Sequence, residues 1–92
     1  MKLVEAFSVG VIEETMLNTW SAIGRAYEDI KIGEELVCFT NERQRLSFIV
    51  KQIMIYRKII SELNSGLTGE LILMGDESFI GLETVSMLYR EQ

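Results

Sequence analysis

From Leu3 to Ile12, Phe7, Val9 and Val11 alternate with Ser8 and Gly10. This period of two is the spacing of a strand with one buried face. Glu13-Glu14-Thr15 and Met16-Leu17-Asn18 break the alternation and predict a loop crossing. Trp20 to Tyr27 predicts a second strand, with Trp20, Ala22, Gly24 and Ala26 on one face. Ile30-Lys31-Ile32-Gly33-Glu34-Glu35 predicts a turn feeding a third strand, Leu36 to Thr40. Gly33 supplies a positive φ there without a steric cost. Asn41-Glu42-Arg43-Gln44 reads as a polar hairpin loop before a long strand, Leu46 to about Tyr56. Asn64-Ser65-Gly66 is a turn signal. Leu71-Ile72-Leu73-Met74 is an apolar strand that ends at Gly75-Asp76. Gly81 marks another turn, and Thr84 to Tyr89 is the last strand.

About six short strands with turn residues between them predict an all-β domain, a small barrel or sandwich. One stretch fits a second reading. Arg43 to Leu63 lacks Gly and Pro, and Leu46, Ile49, Val50, Ile53, Met54 and Arg57 lie nearly on a helical stripe. The β-branched and aromatic residues Phe48, Ile49, Val50, Ile53, Ile55 and Tyr56 favour the pleat for its first half. A capping residue is also lacking just before Arg45. Lys58 to Leu63 stays open between strand and one helical turn.

Composition narrows the chemistry. The chain has 92 residues, a net charge of −5, one Cys, and neither His nor Pro. Its length suits one domain. One Cys permits no internal disulfide. The absence of His removes His-dependent nucleophilic and metal chemistry. No apolar run approaches the ~20 residues that span a bilayer. Glu5 stands where a signal peptide would carry its apolar core, so a cytoplasmic, non-membrane protein is expected. The negative charge opposes general binding to phosphate backbones.

The order of motifs resembles domain II, the β-barrel domain of translational GTPases of the elongation factor Tu type. Ala6-Phe7-Ser8-Val9 looks like its opening strand. Gly24-Arg25 followed by Ile30-Lys31-Ile32-Gly33-Glu34-Glu35-Leu36 is similar to the family's Gly-Arg strand and its Ile-Lys-x-Gly-Glu-Glu turn. Ile53-Met54-Ile55-Tyr56-Arg57-Lys58 is similar to its strand ending in aromatic-Arg-Lys. Gly66-Leu67-Thr68-Gly69-Glu70-Leu71-Ile72-Leu73-Met74-Gly75 is similar to its Gly-containing apolar strand. The resemblance spans roughly Lys2 to Tyr89. It implies a six-stranded closed β-barrel over residues 1–92, standing alone. No phosphate-binding Gly-x-x-x-x-Gly-Lys-Ser/Thr loop is present, so no GTP is expected as a ligand. The family's barrel receives the end of aminoacyl-tRNA through an acid two residues before the aromatic. Met54 stands at that position and is at best a weak acceptor, so tRNA-end binding is not expected to carry over.

The candidate binding residues are Tyr56, Arg57 and Lys58, which could stack a base and contact phosphate. Arg43 and Arg45 flank the predicted hairpin and would join them if it folds over that edge. The plainer reading of all four cations is a solvated strand end and loop. Trp20 is either a partner anchor or a large core side chain. Cys38, between Val37 and Phe39, reads as a buried inert thiol. Glu13-Glu14 and Glu34-Glu35 point to opposite faces within each pair and make poor catalytic dyads. No enzyme, cofactor or metal site is expected. The leading function is a binding module for a protein or ribonucleoprotein partner, present as a monomer or weak homodimer. The alternative is a small acidic inhibitor that covers a basic partner. One contiguous face of Glu13, Glu14, Glu28, Asp29, Glu34 and Glu35 would favour the inhibitor. Convergence of Arg43, Arg45, Arg57 and Lys58 would favour a nucleic-acid edge.

Overall fold

The computed structural model describes residues 2–40, 43–75 and 85–92. Among them are nine strands, β1 (Leu3–Met16), β2 (Thr19–Ala26), β3 (Ile30–Lys31), β4 (Glu35–Phe39), β5 (Arg45–Ile55), β6 (Lys58–Ile60), β7 (Glu62–Leu63), β8 (Thr68–Met74) and β9 (Met87–Glu91). The strand order is β4-β9-β1-β2-β8-β5-β6, and β4 also pairs with β5. Six strands therefore form a hydrogen-bonded ring, and the all-β expectation holds. The ring is barrel-like without meeting a strict barrel definition. The predicted turns at Asp76 and Gly81, and the start of the last strand at Thr84, lie outside the described residues.

Alternation places the core. Trp20, Ala22 and Ala26 of β2 are buried with Leu71 and Leu73 of β8 and Phe48, Val50 and Ile53 of β5. Gly24 is a crossing point. A Cβ there would lie 1.9 Å from the Ser8 carbonyl oxygen, so only glycine lets β1 cross this closely. The short β3–β7 pair sets Ile30 opposite Leu63, both fully buried in the core cluster. Gly33 has φ +92°, as the turn requires, and donates its N–H to the Val50 carbonyl at 2.8 Å.

Two elements differ from the sequence expectation. Residues 13–16 continue β1, and the chain reverses at Leu17-Asn18, with Asn18 at φ 61°. Glu13, Glu14 and Thr15 are all exposed, so burial does not alternate there. The hairpin holds by its ladder to β2 and not by a buried face. Lys58–Leu63 is not helical. It forms β6 and β7 after a two-residue reversal at Tyr56-Arg57.

The ring closes unevenly. β1–β2 has eight registered residue pairs and β2–β8 has seven, whereas β4–β9 has one, Val37 with Tyr89. Side chains reinforce that seam. Phe39 and Tyr89 meet edge to face, with centroids 6.0 Å apart. Arg45 pairs with Glu91. Arg90 pairs with Glu34 at 2.8 Å and with Glu28 at 3.7 Å.

Candidate interaction face

Antiparallel register brings one outward position from each of five strands into a row. Val11 of β1 faces Ile23 of β2, Ile23 faces Glu70 of β8, Glu70 faces Met54 of β5, and Met54 faces Ile59 of β6. Val11, Ile23 and Ile59 are 56%, 46% and 66% exposed. Towards the β1–β2 turn the next row is Glu13–Ser21–Ile72–Gln52, and the one after it Met16–Thr19–Met74–Ile49. The result is two apolar bands on the outside of the densely paired strands, with a largely polar row between them. Soluble monomers rarely leave so many large apolar groups contiguous unless something covers them.

The polar centre of this face is Glu70, whose carboxylate accepts a hydrogen bond from the Ser21 hydroxyl. Beside it a groove of about 260 Å³ is bounded by Ile23, Met54, Tyr56, Arg57, Thr68 and Glu70. That is below the usual volume of a small-molecule pocket.

Tyr56 and Arg57 form the turn between β5 and β6, with φ of 50° and 66°. Two left-handed residues in a two-residue hairpin loop match a type I′ turn, which Asn-Gly fills most easily. A non-glycine residue in this region costs roughly 1–2 kcal/mol. Strain held on an exposed tip is a pointer to use, and Tyr56 is 93% exposed.

The sequence candidates separate in space. Tyr56, Arg57 and Lys58 share the hairpin tip. Arg43 and Arg45 do not join them, because β5 runs from Arg45 to Ile55 and puts about 30 Å between its ends. Arg43 sits at φ 64° in the β4–β5 connection, and Arg45 is engaged by Glu91. Trp20 is 5% exposed and packs in the core, opposite Leu73 in register, so its ring is not on the surface. Its indole nitrogen has no hydrogen-bond partner among the described residues. Cys38 is fully buried, and burial pushes its thiol up to about 11.

The acids also fail to form one face. Glu28 and Glu34 bind Arg90, and Asp29 accepts the Ser65 N–H at 2.8 Å. Glu28 lies beside Ala6, whose carbonyl accepts its N–H, whereas Glu13 is seven residues further along β1. No group of three or more Cys, Asp and Glu that could hold a metal ion occurs among the described residues. No helix among them is long and apolar enough to cross a membrane.

Val11, Ile23, Ile59 and Ile72 were not read as interaction residues from the sequence, and Met54 was singled out only as the replacement of the family's acid. For Met54 and Ile72 the signal was present in the unbroken apolar runs 53–56 and 71–74, since a strand apolar at every position has two apolar faces. Fold and site together define a class: a small all-β ring with an uncovered apolar outer face. No family model, curated protein or solved structure matches the chain.

Proposed function

We propose that the chain is a non-enzymatic binding module, a barrel of the translation-factor domain II type that holds a protein partner on its apolar outer face. The observation that carries this reading is the row Val11–Ile23–Glu70–Met54–Ile59, apolar at four of five positions and open to solvent. Burying such side chains contributes roughly 25 cal/mol per Å² of apolar area, so this surface is where association gains most. The strained tip Tyr56-Arg57 stands at its margin and adds an aromatic and a cation, residue types enriched at binding hot spots. A protein partner is favoured over RNA because Arg43 and Arg45 lie far from Arg57 and Lys58. The acidic-inhibitor reading draws no support from the geometry, since the acids are divided and Arg90 holds two of them.

The test is affinity capture from the source cell with three forms of the chain. These are the wild type, Ile23→Glu with Met54→Glu, and Lys31→Ala as an off-face control. A partner retained by the wild type and the control, and lost with the face variant, is the expected result. Equal retention by all three removes the reading.

A further inference from the structure

One end of the face is cationic. Arg25 of β2 lies opposite Ser8 of β1 on one side and Thr68 of β8 on the other. Thr68 and Arg57 border the same groove, together with Tyr56, so hydroxyl and guanidinium groups form a row from β1 to the β5–β6 turn. Lys58 follows that turn and is exposed. Arg25, Arg57 and Lys58 have no ion pair with a described residue, whereas Lys31, Arg45 and Arg90 are all paired. One row towards the β1–β2 turn lie Ile23 and Met54, the apolar walls of the groove, with Glu70 between them. The net charge of −5 does not cancel this end. The Debye length in physiological salt is about 8 Å, and Glu13, two rows away at about 13 Å, lies beyond it. Glu28 and Glu34 are held by Arg90, and Asp29 by the Ser65 N–H. The acids nearest in register are Glu70, which accepts the Ser21 hydroxyl, and Glu5, three residues before Ser8 on β1.

We propose that the protein held on this face presents an acidic segment to the row, with two carboxylates on Arg25 and Arg57 and an apolar side chain between them in the groove. The proposal rests on reading the face as a docking surface and goes further by naming the chemistry of its partner. Charge complementarity carries it. A guanidinium without a partner pairs with a carboxylate through two parallel N–H bonds, and the Ser8 and Thr68 hydroxyls add donors beside it. The spacing sets a register. From β2 across β8 to β5 is two strand spacings, about 10 Å. In a polyproline II chain, a main conformer of unfolded segments, residues three apart share a side and lie about 9 Å apart. Acids at positions i and i+3 therefore match Arg25 and Arg57, and an apolar residue between them turns towards Ile23 and Met54. The Glu70 carboxylate keeps acceptor capacity for an N–H of the segment backbone. A nucleic-acid strand suits this surface less well. It carries a charge at every phosphate and meets Glu70 and Glu5, whereas a peptide sets its acids only where the cations are.

The experiment is a selection of displayed short random peptides on the immobilised full chain, followed by anisotropy titration of the most enriched peptide at low and at high salt. Enriched peptides should carry Asp or Glu three residues apart with an apolar residue between them, and their binding should weaken with salt. Arg25→Glu with Arg57→Glu should weaken the selected peptide at least about tenfold. Ile23→Glu with Met54→Glu should weaken it by a similar factor, with unchanged fluorescence from buried Trp20 showing that the variant is folded. Lys2→Glu with Lys51→Glu changes the net charge equally, at exposed positions away from the row, and should leave the affinity within about twofold. A selection that enriches no peptide, or peptides without acids, overturns the proposal. So does an affinity that falls equally in the Lys2 and Lys51 variant. Mixed-sequence single-stranded RNA is titrated in parallel. RNA that binds more tightly than the peptide, and is lost with Arg25→Glu and Arg57→Glu, assigns the row to phosphates and overturns the proposal too. A peptide that needs the two arginines but ignores Ile23 and Met54 overturns it together with the docking reading. If no acidic peptide binds but a captured protein still depends on Ile23 and Met54, the docking reading stands and the acidic segment is removed.

Discussion

The broad side of the ring and its seam hold the same sheet together by different means. Across β1, β2, β8 and β5 the strands share long backbone ladders, so joining them does not depend on the outward side chains. Across β4–β9 there is one registered pair, and the side chains do the joining through Phe39, Tyr89, Arg45, Glu91 and Arg90. Charge follows the same division. Seam charges are spent on each other, whereas Arg25 and Glu13 on the broad side have no ion pair with a described residue. Where the backbone suffices to close the ring, the surface becomes available for recognition.

The comparison is broken most severely on the broad side by Gly24→Ala. A Cβ at 1.9 Å from the Ser8 carbonyl cannot be relieved by a side-chain move, because the obstacle is backbone. Denaturant titration should show a loss of about 3 kcal/mol or more, or no folded protein. On the seam, Arg90→Met keeps the aliphatic bulk and removes the pairs to Glu34 and Glu28. A loss of about 1–2 kcal/mol is expected, reduced at high salt, since the pair is partly exposed. The smallest effect has the opposite sign. Tyr56→Asn with Arg57→Gly replaces two strained residues by the pair that prefers this turn, and should stabilise by about 1 kcal/mol. The same variant should bind its partner less well. A gain in melting temperature without a loss of binding would separate the strain from any recognition role.

Much of the ring was legible because period and punctuation agreed. The buried face of β2 follows from Trp20, Ala22 and Ala26, and Gly33 marks a turn that does need a positive φ. The reversal at Leu17-Asn18 falls inside the predicted loop crossing, but the one at Tyr56-Arg57 was not legible, because it turns the chain without glycine and composition offers no sign that Tyr or Arg will take the left-handed conformation. The end of β1 was missed because Glu13–Thr15 has no buried face to alternate with. The candidate site was half legible. The tip residues were found from their basic pair, but the apolar face beside them was not, because apolar runs were assigned wholly to the core. Whether Arg43 and Arg45 join Arg57 was left open by the sequence, and the length of the 11-residue strand between them keeps them apart.

The pairing of Lys2 with Gln92 has a mechanical meaning. Each donates its N–H to the other's carbonyl, at 3.2 and 2.8 Å, and Leu3 lies opposite Glu91 in the antiparallel β1–β9 ladder. Force applied through residues 2 and 92 therefore acts across the ladder and peels its bonds one after another, instead of shearing them together. The ring should be soft when pulled by these two points, whatever its resistance to heat, and β9, lightly held by β4 on its other side, is the strand that leaves first.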